Sequence, residues 1–259
     1  MLNYESHRAI FEGMNAGLWT VNSGRLLWMT QPAWPSTMWQ IFSHDYDTQA
    51  SFYGVKSAAE PIHVQMNLPS RKVIVVNNPN AKLTGASVKV EVYAIDGTPL
   101  LKASKGVTVQ PTALSSEIDF GIDALVAAHK AVVVKLALLD SGGNEISHNV
   151  YWQGIDETAL QMLNTLSPQK LNITADLPHV RGDSRVNVKL NNSSDKPVLE
   201  VKLTLVDQLG NRILPAYYSD NYVSLMPGET RTVTIDYTSK VAPSVNVRGW
   251  NVEATTVTP

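Results

Sequence analysis

The chain has 259 residues, with 21 Lys and Arg against 23 Asp and Glu and a formal net charge of −2. At about 100 to 200 residues per domain that length favours two domains, and a complete (β/α)8 barrel of about 250 residues would leave room for nothing else. No basic surplus exists to displace counterions from a nucleic acid, no run approaches the ~20 apolar residues of a membrane span, and the absence of cysteine removes disulfides, thiol nucleophiles and cysteine-ligated zinc. Residues 1–20, carrying Glu5, Arg8 and Glu12, lack the apolar centre of a secretory leader.

Ten of the nineteen aromatic residues fall in the first 53 positions, and four of the six tryptophans lie between Trp19 and Trp39. The first 55 residues hold only two basic side chains, Arg8 and Arg25, so this segment differs in kind from the rest of the chain. Tyr4, His7, Phe11, Met14 and Leu18 recur at helical spacing, which predicts a helix from Tyr4 to Trp19 burying that face. Gly24 to Thr30 contains Leu26-Leu27-Trp28-Met29, too short for a helix and typical of a strand buried on both faces. Pro32 and Pro35 keep Gln31 to Asp47 a loop. Asp47 is then placed to cap a second helix running to Ala59, with Phe52 and Val55 on one face and Pro61 past its end. Helix, buried strand and helix make a piece of α/β architecture.

Beyond Pro61 the period changes to two. Val88, Val90 and Val92 alternate with Lys89, Glu91 and Tyr93 before the turn signal Asp96-Gly97; Val201, Leu203 and Leu205 alternate with Lys202 and Thr204 before a turn at Gln208 to Asn211; Val233, Ile235 and Tyr237 repeat the pattern. These are half-buried antiparallel strands. The stretch from Lys72 aligns with that from Arg185 at an offset of 113 to 114 residues, Asn77-Asn78 falling on Asn191-Asn192 and Val88-Lys89 on Val201-Lys202. An immunoglobulin-like sandwich takes about 100 residues, so the repeat predicts two in tandem, 61–155 and 156–259, joined near Gly154 to Leu166.

His44, Asp45 and Asp47 are too close in sequence to converge on a metal without a third element, and they read as a solvated loop and helix cap. Arg181-Gly182-Asp183 spells an adhesion tripeptide but reads as an ordinary turn before a strand. Asn172, Asn191 and Asn192 head Asn-x-Ser/Thr sequons, read as unmodified. Neither a G-x-S-x-G elbow nor a phosphate-binding glycine loop is present, and no metal or cofactor is expected. Trp28 and Trp34, flanked by Gln31, have the chemistry to stack on a sugar face and hydrogen-bond a hydroxyl, though tryptophans commonly fill cores.

The runs YESHRAIFEGMNAGLW, SGRLLWMTQPAWPSTMWQ and DYDTQASFYGVKSAAEPIHVQMN resemble the end of the catalytic barrel in glycoside hydrolase family two, in the branch of exo-β-D-glucosaminidases, β-mannosidases and mannosylglycoprotein endo-β-mannosidases. ILPAYYSDNYVSLMPGE and RGWN resemble the last immunoglobulin-like domain of that branch. The resemblance spans essentially the whole chain. It implies a mainly β chain in which residues 1–60 are the C-terminal remnant of the (β/α)8 barrel, followed by the two sandwiches. Tyr4 to Trp19 would follow the seventh barrel strand, Gly24 to Thr30 would be the eighth, and Asp47 to Ala59 the last helix.

The resemblance further implies that Trp28, Gln31 and Trp34 line the pocket for a β-linked mannoside or glucosaminide, since such sites lie at the C-terminal ends of barrel strands. Retaining members use two glutamates about 5–5.5 Å apart, carried on the fourth and seventh barrel strands, both before this segment. Glu5 and Glu12 match no catalytic motif. The chain therefore carries no catalytic residue and is expected to be inactive alone, with the missing barrel as its partner and a periplasmic or secreted parent enzyme. The rival reading is a non-catalytic carbohydrate-binding or structural module using Tyr217, Tyr218 and Tyr222.

Overall fold

The computed structural model describes residues 2–36, 40–178 and 184–259. Its helices are α1 (Leu2–Asn15), α2 (Ala50–Ala58) and α3 (Ile122–His129), with a short 3-10 helix at Ala159–Thr165. Two compact units divide the chain: Glu5–Leu27 with Gly54–Thr165, and the residues through Tyr4 with Trp28–Tyr53 and Leu166–Pro259. The aromatic N-terminal segment is thus shared between them.

In the first unit the strands are β1 (Ile62–Asn67), β2 (Lys72–Asn77), β3 (Leu83–Ala94), β4 (Pro99–Val109), β5 (Ala113–Leu114), β6 (Ala131–Leu139) and β7 (Glu145–Gly154). They form two antiparallel sheets, β1-β2-β5 and β4-β3-β6-β7. Val64, Met66, Val73 and Val75 share one core with Val88, Val90, Val92, Val132, Val134 and Leu136, joined by Ile122 and Val126 of α3. Each such side chain taken fully out of water contributes about 1.5–3 kcal/mol before chain entropy is subtracted. The β3–β4 hairpin closes where Asp96-Gly97 predicts it, with Gly97 at φ 94° and its N–H donating to the Ala94 carbonyl at 2.9 Å.

The second unit repeats the plan with β8 (Asn172–Asp176), β9 (Ser184–Asn191), β10 (Val198–Val206), β11 (Ala216–Tyr218), β12 (Val223–Leu225), β13 (Thr230–Tyr237), β14 (Ser244–Gly249) and β15 (Val252–Val257). Its sheets are β12-β10-β14-β15 and β11-β13-β9-β8. The alternating residues Val201, Leu203, Leu205, Val233, Ile235 and Tyr237 all reach its core. The chain is therefore mainly β, two immunoglobulin-like sandwiches with a short helical part before them.

The internal repeat is real, but its register differs from the sequence alignment. A ladder irregularity falls between Leu83 and Ala86 in β3 and between Val198 and Val201 in β10. At its centre Gly85 (φ 67°) and Glu200 (φ 54°) both adopt left-handed backbone. Asn77 Nδ2 donates to the carbonyls of Ala81, Val109 and Gln110, and Asn192 Nδ2 to those of Lys196, Leu225 and Met226. The ladder irregularities, the left-handed residues, the two asparagines and their acceptors Ala81 and Lys196 lie 115 residues apart, and the remaining acceptors 116, so Asn77 corresponds to Asn192, not Asn191, and Val88 to Leu203, not Val201. A period-two pattern is blind to a slip of two, and the Asn191-Asn192 doublet absorbed the remainder.

Three local expectations are corrected. The first helix ends at Asn15 and buries Arg8, Phe11, Glu12 and Asn15, leaving Ile10 and Met14 exposed, so its buried stripe is rotated onto a polar face. Gly24 to Thr30 forms no strand: Leu26 is fully exposed and Trp28 79% exposed. A two-sided buried strand needs a backbone ladder along each edge, and among the described residues none runs beside it. The second helix starts at Ala50, because Asp47 is engaged elsewhere.

Candidate functional site

The aromatic loop belongs to the second unit and is tied down at its C-terminal end. Phe42 N–H donates to the Thr30 carbonyl at 3.0 Å and Gln49 N–H to that of Ile41 at 3.1 Å. Ser51 Oγ donates to the Gln40 carbonyl at 3.2 Å. Phe42, Phe52, Tyr53 and Tyr222 form a chain of tilted and edge-on ring contacts with centroids 5.1, 5.1 and 5.8 Å apart. Tyr53, 1% exposed, enters the sandwich core and pairs its hydroxyl with Thr48 Oγ1 at 2.8 Å; burial pushes its pKa far up, so the phenol stays protonated.

An arginine clamp completes the anchoring. Arg212, at the β10–β11 turn, donates to Asp47 at 3.0 Å and also to Asp45. The Ser43 hydroxyl beside Asp45, helped by Arg212, holds that carboxyl below its usual range. His44 is exposed, so Asp45 and Asp47 serve the arginine while the histidine faces water. No group of three metal-capable side chains occurs among the described residues.

On this frame Trp28 (79% exposed) and Trp34 (70%) present their indoles to solvent, whereas Pro32 between them is buried. Gln31 is half-buried and donates Nε2 to the His44 carbonyl at 3.0 Å, so its amide oxygen remains available as an acceptor. Neither tryptophan is core filler. Trp39 and Arg181-Gly182-Asp183 lie outside the described residues. Asn192 is fully buried, so its sequon cannot carry a glycan. Of the three tyrosines of the rival reading, Tyr218 is in the core with its hydroxyl accepting from Leu205 N–H at 2.8 Å, Tyr222 is half-buried, and Tyr217 alone is exposed.

The first unit holds a polar cluster that spacing did not reveal. Glu12 Oε1 accepts from Asn149 Nδ2 at 2.9 Å and from the Tyr151 hydroxyl at 2.9 Å, and lies 3.1 Å from His63 Nε2. The other face of that imidazole, Nδ1, meets Glu60 at 3.0 Å, and Ser147 Oγ donates to the same Glu60 oxygen at 2.6 Å. Arg8 donates to Asn149 Oδ1 and the Val150 carbonyl, pairs with Glu5 at 2.5 Å, and stacks 4.1 Å over the Tyr151 ring. Burial opposes the His63 imidazolium, but hydrogen bonds to Glu12 and Glu60 outweigh it and raise its pKa. Burial pushes Glu5 up to about 7 despite Arg8 beside it. The local signal was the strand His63-Val64-Gln65-Met66, whose two polar residues are both fully buried; their partners lie too far along the chain for a spacing rule to find. This cluster has the form of an internal fastening: Glu12, Arg8 and His63 are at most 4% exposed and are bonded to one another's neighbours on α1, β1 and β7.

Comparison with known proteins adds an independent line. Residues 149–252 match the exo-beta-D-glucosaminidase Ig-fold domain, and residues 70–153 the mannosidase Ig/CBM-like domain. The exo-beta-D-glucosaminidase of Streptomyces avermitilis is 30% identical over 99% of this chain and 32% of its own length. The mannosylglycoprotein endo-beta-mannosidase of Lilium longiflorum is 28% identical over 97% of the chain and 33% of its length. The crystal structure of the Amycolatopsis orientalis exo-chitosanase superposes with a TM-score of 0.88 at 29% identity, over 99% of this chain and 34% of that one. The chain thus spans about a third of the length of the relatives it matches.

Proposed function

We propose, on the premise that this chain corresponds to the C-terminal part of glycoside hydrolase family two enzymes of the exo-β-D-glucosaminidase and mannosidase branch, that it is the non-catalytic C-terminal portion of a retaining β-glycosidase. Residues 1–60 derive from the barrel, 61–155 and 156–259 are accessory sandwiches, and the substrate is a β-linked glucosaminide or mannoside. The observation that carries the reading is the near-complete coverage of this chain by relatives of which it spans only a third.

In the intact enzyme one barrel glutamic acid would protonate the glycosidic oxygen. The second would attack the anomeric carbon, giving a glycosyl-enzyme ester that water then cleaves. Neither residue lies in this chain. Its contribution is a wall: Trp28 and Trp34 offer apolar faces for pyranose C–H groups, and Gln31, its Nε2 occupied by His44, accepts from a sugar hydroxyl. The anchoring of residues 40–53 by Arg212 and the ring chain limits the loop's freedom and so lowers the entropy cost of holding a sugar.

The purified chain is expected to give no turnover of aryl β-glucosaminide or aryl β-mannoside. Hydrolysis that a glutamate-directed covalent inhibitor abolishes would overturn the reading. When the chain is joined to a barrel carrying both glutamates, Trp28→Ala is expected to lower kcat/KM about tenfold, equivalent to ~1.4 kcal/mol of lost stacking. An unchanged kcat/KM removes Trp28 from the wall.

A further inference from the structure

The second unit contains a cavity of about 600 Å³ that the glycosidase reading does not use. It opens on the face of β10, β14 and β15 turned away from the core, where Lys202 and Thr204 alternate with the buried Val201, Leu203 and Leu205. That volume falls within the range of small-molecule sites, about 300–1,000 Å³. Its wall carries three cations, Lys202, Arg212 and Arg248, against one carboxylate, Asp47.

The charges are not balanced. Arg212 is neutralised by Asp47 at 3.0 Å and by Asp45. Lys202 and Arg248 have no carboxylate within ion-pair distance among the described residues. They are also direct cross-strand partners in the β10–β14 ladder. Like charges placed opposite one another on a sheet repel and destabilise it. Burial lowers the Lys202 pKa, with Asp47 opposing the shift and Arg248 and Arg212 adding to it.

The remaining polar groups point the same way. Thr256 Oγ1 donates to Asn246 Oδ1 at 2.8 Å, occupying the amide oxygen of Asn246 and leaving its NH2 as a donor. With the Thr204 hydroxyl beside it, the wall offers donors around two unneutralised cations. Such a wall suits an oxyanion attached to a hydroxylated body. It repels an ammonium, so it is a poor site for a glucosamine unit.

We propose that this face is a second ligand site, for an acidic sugar: a saccharide bearing a carboxylate or a phosphate, the oxyanion bridging Lys202 and Arg248 and the hydroxyls meeting Asn246 and Thr204. The occupied site removes the like-charge repulsion, so ligand binding also stabilises the β10–β14 pair.

Isothermal titration of the full 259-residue chain with glucuronate, glucose 6-phosphate, inorganic phosphate and glucose tests this. Both acidic sugars are expected to bind and glucose not to. Arg248→Ala, which removes an exposed side chain, is expected to weaken them about tenfold, and 0.5 M NaCl to weaken them further. Lys202→Gln should act like Arg248→Ala, with unchanged circular dichroism showing that both variants fold. Equal binding of glucose, binding untouched by Arg248→Ala, or no acidic ligand bound at millimolar concentration overturns the proposal. Inorganic phosphate binding as tightly as glucose 6-phosphate overturns the sugar half of it and upholds the oxyanion half.

Discussion

Arg8, Glu12 and His63 of the first unit are between 0 and 4% exposed, whereas Arg212 of the second grips Asp45 and Asp47 with 44% of its side chain in water. Both clusters tie part of the N-terminal segment to a sandwich of its own unit, and they do so under opposite conditions. At the centre of the buried cluster, Arg8, Glu12, His63 and Asn149 have lost their water, so removing one of these partners strands the others. At the clamp, solvent replaces whatever is removed. The number of ion pairs therefore says little; where they sit decides what they are worth.

The largest effect that contrast predicts is for Glu12→Ala. It leaves His63, Asn149 and Tyr151 without their shared acceptor, at a cost of about 3–5 kcal/mol in urea unfolding. A loss under about 1 kcal/mol would erase the distinction. Next, Asn77→Ala and Asn192→Ala each remove an amide that serves three carbonyls, and each should cost about 2–3 kcal/mol. Equal losses would show that the corresponding positions bear the same load, and a large inequality would break the equivalence of the two sandwiches.

A pH series sharpens the comparison further. Glu5 has a folded pKa of about 7 against 4.5, so its contribution is fully present below about pH 4.5 and is lost as pH rises through 7. His63, also raised, contributes fully below its unfolded value of 6.5 and loses that contribution as pH rises through its folded value. Both groups act in one direction, so the urea midpoint of the first unit is expected to fall between pH 5 and pH 8. Glu5→Gln should remove about 2 kcal/mol of that slope, and a midpoint independent of pH in the wild-type chain would contradict the burial argument. The smallest effect is for Arg212→Ala, expected to cost less than about 1 kcal/mol and to shrink further in 0.5 M salt. A salt-insensitive loss above 2 kcal/mol would place the clamp with the buried cluster.

Much of the fold was legible because a half-buried strand writes its burial into every second residue: Val88 to Val92, Val201 to Leu205 and Val233 to Tyr237 all sit where alternation placed them. That same periodicity hid the repeat's true offset. The buried face of α1 was illegible for a different reason. Amphipathic reasoning assumes apolar contact, and this helix instead docks Arg8, Glu12 and Asn15 onto polar residues of β1 and β7. Residues 24–30 read as a strand because composition records what a segment can bury, whereas pairing depends on a neighbouring backbone. α3 went unread because it is one short helix in a β-rich stretch, marked only by Ile122 and Val126 one turn apart. At the candidate site, tryptophan-rich composition identified the surface, and the ring chain and arginine clamp that hold it required the fold.

The outward-facing indoles also give the protein an optical character. Trp28 and Trp34 stand largely in water and Trp250 is 47% exposed, whereas Trp152 is 8% exposed. Light absorbed by the chain is thus emitted substantially from solvated rings, at long wavelength and within reach of small quenchers. A saccharide settling on Trp28 or Trp34 would screen those rings and shift the emission toward the blue. The proposed stacking surface is its own dye, and its occupancy can be followed in unlabelled protein.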